Sequence, residues 1–129
     1  MFSHIMVGAN DIEASRKFYD ATFAALGYTD SFDDPKGRVF WSTPQGGRFA
    51  ITPPIDGQPA TPGNGNTIGF GVDTDDKIDA WHAAGVANGG TAIEDAPGIR
   101  HAGTPMAMYL AYLRDPAGNK LCAMRFIGG

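Results

Sequence analysis

The sequence predicts an α+β fold assembled from two copies of a β-α-β-β-β module, and three observations predict it. The stretches His4-Ile5-Met6-Val7-Gly8-Ala9-Asn10-Asp11 and Thr67-Ile68-Gly69-Phe70-Gly71-Val72-Asp73-Thr74 each run an apolar strand pattern into a helix cap. Pro44-Gln45-Gly46-Gly47-Arg48-Phe49-Ala50 and Pro116-Ala117-Gly118-Asn119-Lys120-Leu121-Cys122 each run a turn into a strand. Between these landmarks each half carries an amphipathic helix. A repeat of this length in 129 residues places two similar modules around one core, with a ligand held between them.

In the first half, residues 2–8 are apolar and read as a strand. Asn10 with Glu13 has the spacing of a capping box, so a helix should start near residue 11. Ile12, Tyr19, Phe23 and Leu26 fit a stripe of helical period, and Gly27 is placed to end it. Arg38–Thr43 and Arg48–Thr52 read as a hairpin around Pro44-Gln45-Gly46-Gly47. Residues 53–66 hold four prolines, three glycines and two asparagines and read as the connector. The expected division of the single 1–129 domain is residues 1–55, a connector at 56–65, and residues 66–129.

In the second half, residues 67–72 form a strand and Asp73 or Thr74 caps a helix through about residue 88, with Ile78 and Trp81 on its buried side. Asn88-Gly89-Gly90 stops it. A short strand near Thr91–Glu94 leads into a loop, Asp95–Pro105, which accounts for most of the extra length of this half. Strands at 106–113 and 119–126 close it around the turn Asp115–Asn119.

Composition narrows the function. A net charge of −4 with both signs mixed along the chain lacks the basic stripe that nucleic acid requires. No apolar run has membrane length, and the lone Cys122 cannot form an internal disulfide, so a reducing cytoplasm is the expected setting.

Phe2-Ser3-His4-Ile5-Met6-Val7, the helix Asp11-Ile12-Glu13-Ala14-Ser15-Arg16-Lys17-Phe18-Tyr19 and the closing Arg114-Asp115-Pro116-Ala117-Gly118-Asn119-Lys120 together resemble the glyoxalase / bleomycin-resistance / extradiol-dioxygenase superfamily, also called vicinal oxygen chelate. The resemblance runs from end to end. It implies that each module curls its sheet into a half-open cup, that the two pair into a curved mixed sheet with a central cleft, and that the chain forms a homodimer. In metal-dependent members, side chains from the first and last strand of each module hold a divalent ion.

Carried over residue by residue, these positions fall on His4, Ala50, Thr67 and Cys122. His4 suits zinc, nickel or iron. Ala50 stands where a carboxylate is usual and has no donor atom, Thr67 replaces a His, and Cys122 replaces a Glu. Only His4 and Cys122 remain as metal ligands, too few for a zinc site and lacking the two-His-one-carboxylate set of an iron dioxygenase. The only glutamates, Glu13 and Glu94, lie outside last-strand positions. The expectation is therefore no cofactor, with a divalent metal (Zn, Ni, Mn or Fe) as the alternative.

The function read from this is binding of a small organic molecule in the cleft, either to sequester it or to act on it through acid-base groups. The alternative is a metal-dependent glyoxalase-type lyase or isomerase, or a dioxygenase. The expected ligand-binding residues are His4, Trp41, Thr67, Arg100, His101, Tyr109, Tyr112 and Cys122. Trp41, Tyr109 and Tyr112 lie on strands that line the cleft in the family, although alternation turns some of them toward the helices. Arg100 and His101 stand in the longer loop, over a cleft mouth. A cationic drug would favour an acidic cleft; a thiol conjugate would favour basic residues, with Arg38, Arg48 and Arg100 as candidates.

Overall fold

In the computed structural model, which describes residues 1–128, strand β1 (His4–Gly8) leads into helix α1 (Ile12–Ala25) and strands β2 (Ser31–Asp33), β3 (Val39–Ser42) and β4 (Arg48–Thr52). The second half follows with β5 (Ile68–Gly71), α2 (Asp75–Ala87), β6 (Thr91–Ala92), β7 (Gly98–Arg100), β8 (Met108–Arg114) and β9 (Lys120–Phe126). Strand order is β1-β4-β3-β2 in one sheet and β5-β9-β8-β6 in the other, with β7 also on β8. In each, the first strand lies parallel to the last and the remaining pairs are antiparallel. The two modules thus trace the same path in two mixed sheets.

Local chemistry accounts for the boundaries. The α1 cap is Asp11, whose side chain accepts from the Ala14 amide at 3.1 Å. Asn10, expected to cap, instead binds the connector: its side chain accepts from the Ala60 amide at 2.6 Å and donates to the Ala60 carbonyl at 3.4 Å. Gly8 beside it leaves room for this contact, since a Cβ there would meet the Ala60 Cβ at 2.8 Å. Thr74 caps α2 through the Lys77 amide. Strand β4 has the bounds its sequence indicates. Two short strands differ from expectation: β2 lies ahead of the hairpin, and β7 falls inside the segment read as the Asp95–Pro105 loop.

One core serves both halves. Tyr19 is its centre, with ring centroids 4.9 Å from Phe18, 5.5 Å from Phe23, 5.5 Å from Trp41 and 4.8 Å from Phe49. Phe23 and Phe49 continue to Phe70 of β5 at 5.5 and 5.6 Å, and Phe70 to Trp81 of α2 at 6.5 Å. Phe70 is partly buried; each of the other rings, buried, contributes about 1.5–3 kcal/mol of transfer free energy. The helices meet at Gly85, where a Cβ would stand 2.3 Å from Leu113 Cδ1 and 3.1 Å from Phe18 Cε2.

A polar clasp sits inside this apolar seam. The Tyr19 hydroxyl donates to Asp115 Oδ2 at 2.6 Å, and Asn119 Nδ2 donates to the same oxygen at 2.8 Å and to the Gly8 carbonyl at 3.0 Å. Asp115 Oδ1 accepts from the Ala117 and Asn119 amides at 2.9 Å each. Every buried polar side-chain atom among the described residues has a partner. Burial first, then the neighbouring Asp115 carboxylate, holds the Tyr19 hydroxyl well above the usual phenol range.

Candidate functional site: the strand face of the first module

Period-two alternation sorts the first sheet into two faces. Val39, Trp41, Phe49 and Ile51 turn toward the helices and are buried. The register lays the other face out as a grid. His4, Arg48 and Ser42 form one row across β1, β4 and β3, and Met6, Ala50, Phe40 and Phe32 form the next across β1, β4, β3 and β2. Arg38 precedes β3 on the same parity. Along this face runs an open cavity of about 650 Å³ lined by Ser3, His4, Met6, Arg38, Phe40, Ser42, Thr43, Gly46, Gly47 and Arg48.

Phe40 lines this cavity, backed by Phe32 on the neighbouring strand, and Arg38 and Arg48 add two cations. The Phe32 and Phe40 rings stack with centroids 4.9 Å apart and planes 3° from parallel. Arg48 lies over the Phe32 ring at 5.4 Å and Arg38 over the Phe40 ring at 5.9 Å. Arg38 is held by Asp34, through a salt bridge and a backbone hydrogen bond. Arg48 has no carboxylate partner among the described residues. His4 accepts or donates to the Ser3 hydroxyl through Nδ1 at 2.8 Å, and its side chain is exposed to the cavity.

The sequence-predicted residues divide between this cup and other places. His4 stands in it. Trp41 does not: it is only 1 % exposed, on the helix side, and its indole donates to Asp20 Oδ1 at 3.0 Å. Tyr109 also turns to the helices, where its hydroxyl donates to Asp79 Oδ1 at 2.7 Å. Phe32, Phe40 and Ser42 were not among the expected residues. Their signal is parity: Phe40 and Ser42 alternate with Val39 and Trp41 and share the Arg38 side of the strand.

Tyr112, Cys122 and Arg100 lie on the face of the second sheet turned away from the helices, where Cys122 is nonetheless buried. Tyr112 and Cys122 are cross-strand partners. Lys120, at the start of β9, binds Glu94 Oε2 at 2.6 Å and lies 4.8 Å from the Tyr112 ring centroid. Arg100 donates to the Asp95 and Ala96 carbonyls at 3.0 Å each. Glu94 and His101 are the non-glycine residues with positive φ, 57° and 55°, one on each side of β7. His101 is exposed at the end of β7, away from the cup. Burial foremost, then Glu94, pushes the Cys122 thiol up to about 11, so at neutral pH it is protonated and a poor nucleophile or metal ligand.

Thr67 lines a second cavity, of about 480 Å³, in the seam between the modules, together with Met6, Val7, Pro62, Gly65, Asn66, Ile68, Asn119 and Lys120. Neither cavity gathers a metal donor set. Among the described residues no three of His, Cys, Asp and Glu stand close enough to share an ion. His4 is flanked on the ladder by Arg48, a cation, and Ala50 supplies no donor atom. These residues do not fit the divalent site of the metal-dependent enzymes that the sequence resembles.

The chain and its fold both have relatives. No curated protein matches it. Among solved structures, a glyoxalase/bleomycin resistance protein from Albidiferax ferrireducens T118 is 53 % identical, with a TM-score of 0.89 over 97 % of this chain and 98 % of that one. A glyoxalase-related enzyme from Fulvimarina pelagi is 23 % identical, with a TM-score of 0.71 over 97 % and 87 %. A lactoylglutathione lyase from Agrobacterium tumefaciens is 20 % identical, with a TM-score of 0.66 over 97 % and 92 %; likeness at these two identities concerns the fold alone. With residues 1–123 also matching the family profile, the protein that carries this cup belongs to the Glyoxalase/Bleomycin resistance protein/Dioxygenase superfamily.

Proposed function

We propose that the protein binds a small organic anion with a flat apolar body in the cup of its first module, and that it does so without a divalent metal. The observation that carries this is Arg48, a guanidinium with no carboxylate partner among the described residues, beside His4 and Ser42 on an aromatic floor. A guanidinium left without a counter-ion at the edge of an apolar cavity recruits a carboxylate or phosphate in two-pronged fashion. Ser42 offers a hydroxyl to the same anion, and the Phe32–Phe40 stack takes the apolar body. A charge-assisted hydrogen bond of this kind is worth about 1.5–3 kcal/mol, so losing Arg48 should weaken binding about tenfold or more.

Calorimetric titration with benzoate and with benzylamine tests the reading. Benzoate should bind and lose affinity in Arg48→Ala, while benzylamine should not bind; equal affinity for the two would sink it. Elemental analysis after incubation with zinc, nickel, manganese and ferrous iron tests the metal-free part. Stoichiometric metal that is lost in His4→Ala would restore the metal-dependent lyase or dioxygenase reading.

A homodimer in a reducing, cytoplasmic setting completes the proposal. Phe2 and Phe126, 69 % and 61 % exposed, are among the large apolar side chains left uncovered, which supports self-association. Sedimentation should give a dimer, and Phe126→Ser should shift it toward monomer.

A further inference from the structure

We infer that Met6 sets the length of ligand this protein accepts, an inference that rests on the anion-binding reading of the first module's cup. Met6 is the residue common to the linings of the cup and of the seam cavity. On β1 it shares the face of His4, two residues on, and heads the row that continues through Ala50, Phe40 and Phe32. A ligand anchored by its charge at His4, Arg48 and Ser42 that grows toward the second module therefore meets the Met6 side chain. Beyond it lies a cavity of a different character, lined by Asn66, Thr67, Asn119 and Lys120.

A thioether is suited to such a partition. Its unbranched chain fills irregular space yet carries no polar atom that must be satisfied, so shortening it opens a passage without orphaning a hydrogen bond. Met6 is half-buried and does not belong to the cluster around Tyr19, so the cost of truncation to the fold is small. With Met6→Ala, cavities of about 650 and 480 Å³ join into one groove. With Met6→Phe the cup is closed more tightly.

The test is a chain-length series of straight-chain alkanoates, from butanoate to dodecanoate, titrated against the unaltered protein, Met6→Ala, Met6→Phe and Arg48→Ala, each first shown to melt cooperatively. Affinity in the unaltered protein should rise by roughly fourfold per methylene and then stop rising. Met6→Ala should move that limit to longer chains and Met6→Phe to shorter ones, with butanoate affected by less than about twofold. A limit that stays put in both variants, while Arg48→Ala still abolishes binding, overturns the role of Met6 and leaves the cup intact as a site. Absence of alkanoate binding to every form, with benzoate still bound, overturns this inference and leaves the cup as a site, whereas absence of binding by both overturns the cup itself.

Discussion

Arg48 and Lys120 occupy matching places, each the first residue of the strand that closes its module and each pointing away from the helices. Their surroundings differ. Arg48 lies over the Phe32 ring, itself stacked on Phe40, with no carboxylate partner among the described residues, whereas Lys120 is bound to Glu94 at 2.6 Å and lies over the Tyr112 ring. The neighbouring first strands differ as well. Strand β1 brings His4 and Met6 to its module's face, while β5, just after Thr67, brings the bare backbone of Gly69 and Gly71, where a Cβ would meet nothing within 4 Å. Two copies of one scaffold thus present one face with an uncompensated cation on an apolar floor and one face whose cation is neutralised. The difference teaches that the fold supplies the platform while a few outward-facing side chains decide which half can hold an anion.

The largest effect is expected from reversing the sign at the first position. Arg48→Glu should lower benzoate affinity about a hundredfold or more, because a charge-assisted contact is replaced by like-charge repulsion, whereas Lys120→Ala should change it less than about twofold. Comparable losses at both positions, measured by calorimetry, would erase the distinction between the faces.

A second expected effect concerns how the halves are joined. Tyr19 of α1 reaches the closing turn of the other module, but its counterpart by helix-cap alignment, His82 of α2, makes no such bond among the described residues. Tyr19→Phe should cost about 1–3 kcal/mol of stability, the penalty of removing a donor from a buried carboxylate. His82→Ala should cost less than about 0.5 kcal/mol. Urea melts of the two variants give the comparison directly, and equal losses would break it.

Releasing the neutralised cation should have a smaller effect. Glu94→Gln frees Lys120, and a second, weaker benzoate site should then appear on the other face, gaining about threefold to tenfold in affinity over the unaltered protein. A titration that still fits a single site would mean that the second face lacks more than a free charge.

The smallest effect is alkaline. Cys122 holds its proton in the folded chain from the ordinary thiol value of 9.0 up to about 11, and Tyr19 beyond the ordinary phenol value of 10.0. The folded state therefore binds more protons than the unfolded one above pH 9, so this contribution to stability is intact below pH 9 and is lost as pH climbs through about 11. Cys122→Ala should delay the onset of the loss toward pH 10, where tyrosine takes over. Denaturation midpoints measured against pH check this, and an unchanged onset would show that the thiol is not the first group to titrate.

Much of the architecture was legible in residues whose local chemistry agrees with their tertiary surroundings. Arg48–Thr52 alternates cleanly after a glycine turn, and Ile78 and Trp81 keep helical spacing, so their elements stand where the pattern indicates. Gly98-Ile99-Arg100 carries no strand pattern of its own and is a strand only because β8 offers it a partner. Asn10 has cap chemistry but spends it on Ala60, fifty positions away, leaving the cap to Asp11. For the site, alternation tells which residues share a face but not which face is covered. Trp41 and Tyr109, expected at the cleft because their strands line it in the family, stand on the parity that faces the helices. The polar parity of Arg38, Ser42 and Arg48 was the better guide, since a charged side chain turns away from a helix-covered face, and it brings the unexpected Phe40 with it.

The clasp between Tyr19, Asp115, Asn119 and Gly8 also has a bearing on how this chain is made. Its bonds join residues 96 and 111 positions apart. At about 5–20 residues per second on the ribosome, the Tyr19 phenol waits roughly five to twenty seconds for its acceptor to be synthesised. A nascent chain ending before residue 115 has nothing to offer that hydroxyl except water, so the aromatic centre of the core stays wet until the final hairpin emerges. The first module, though written first, is finished only when the closing turn of the second has been made.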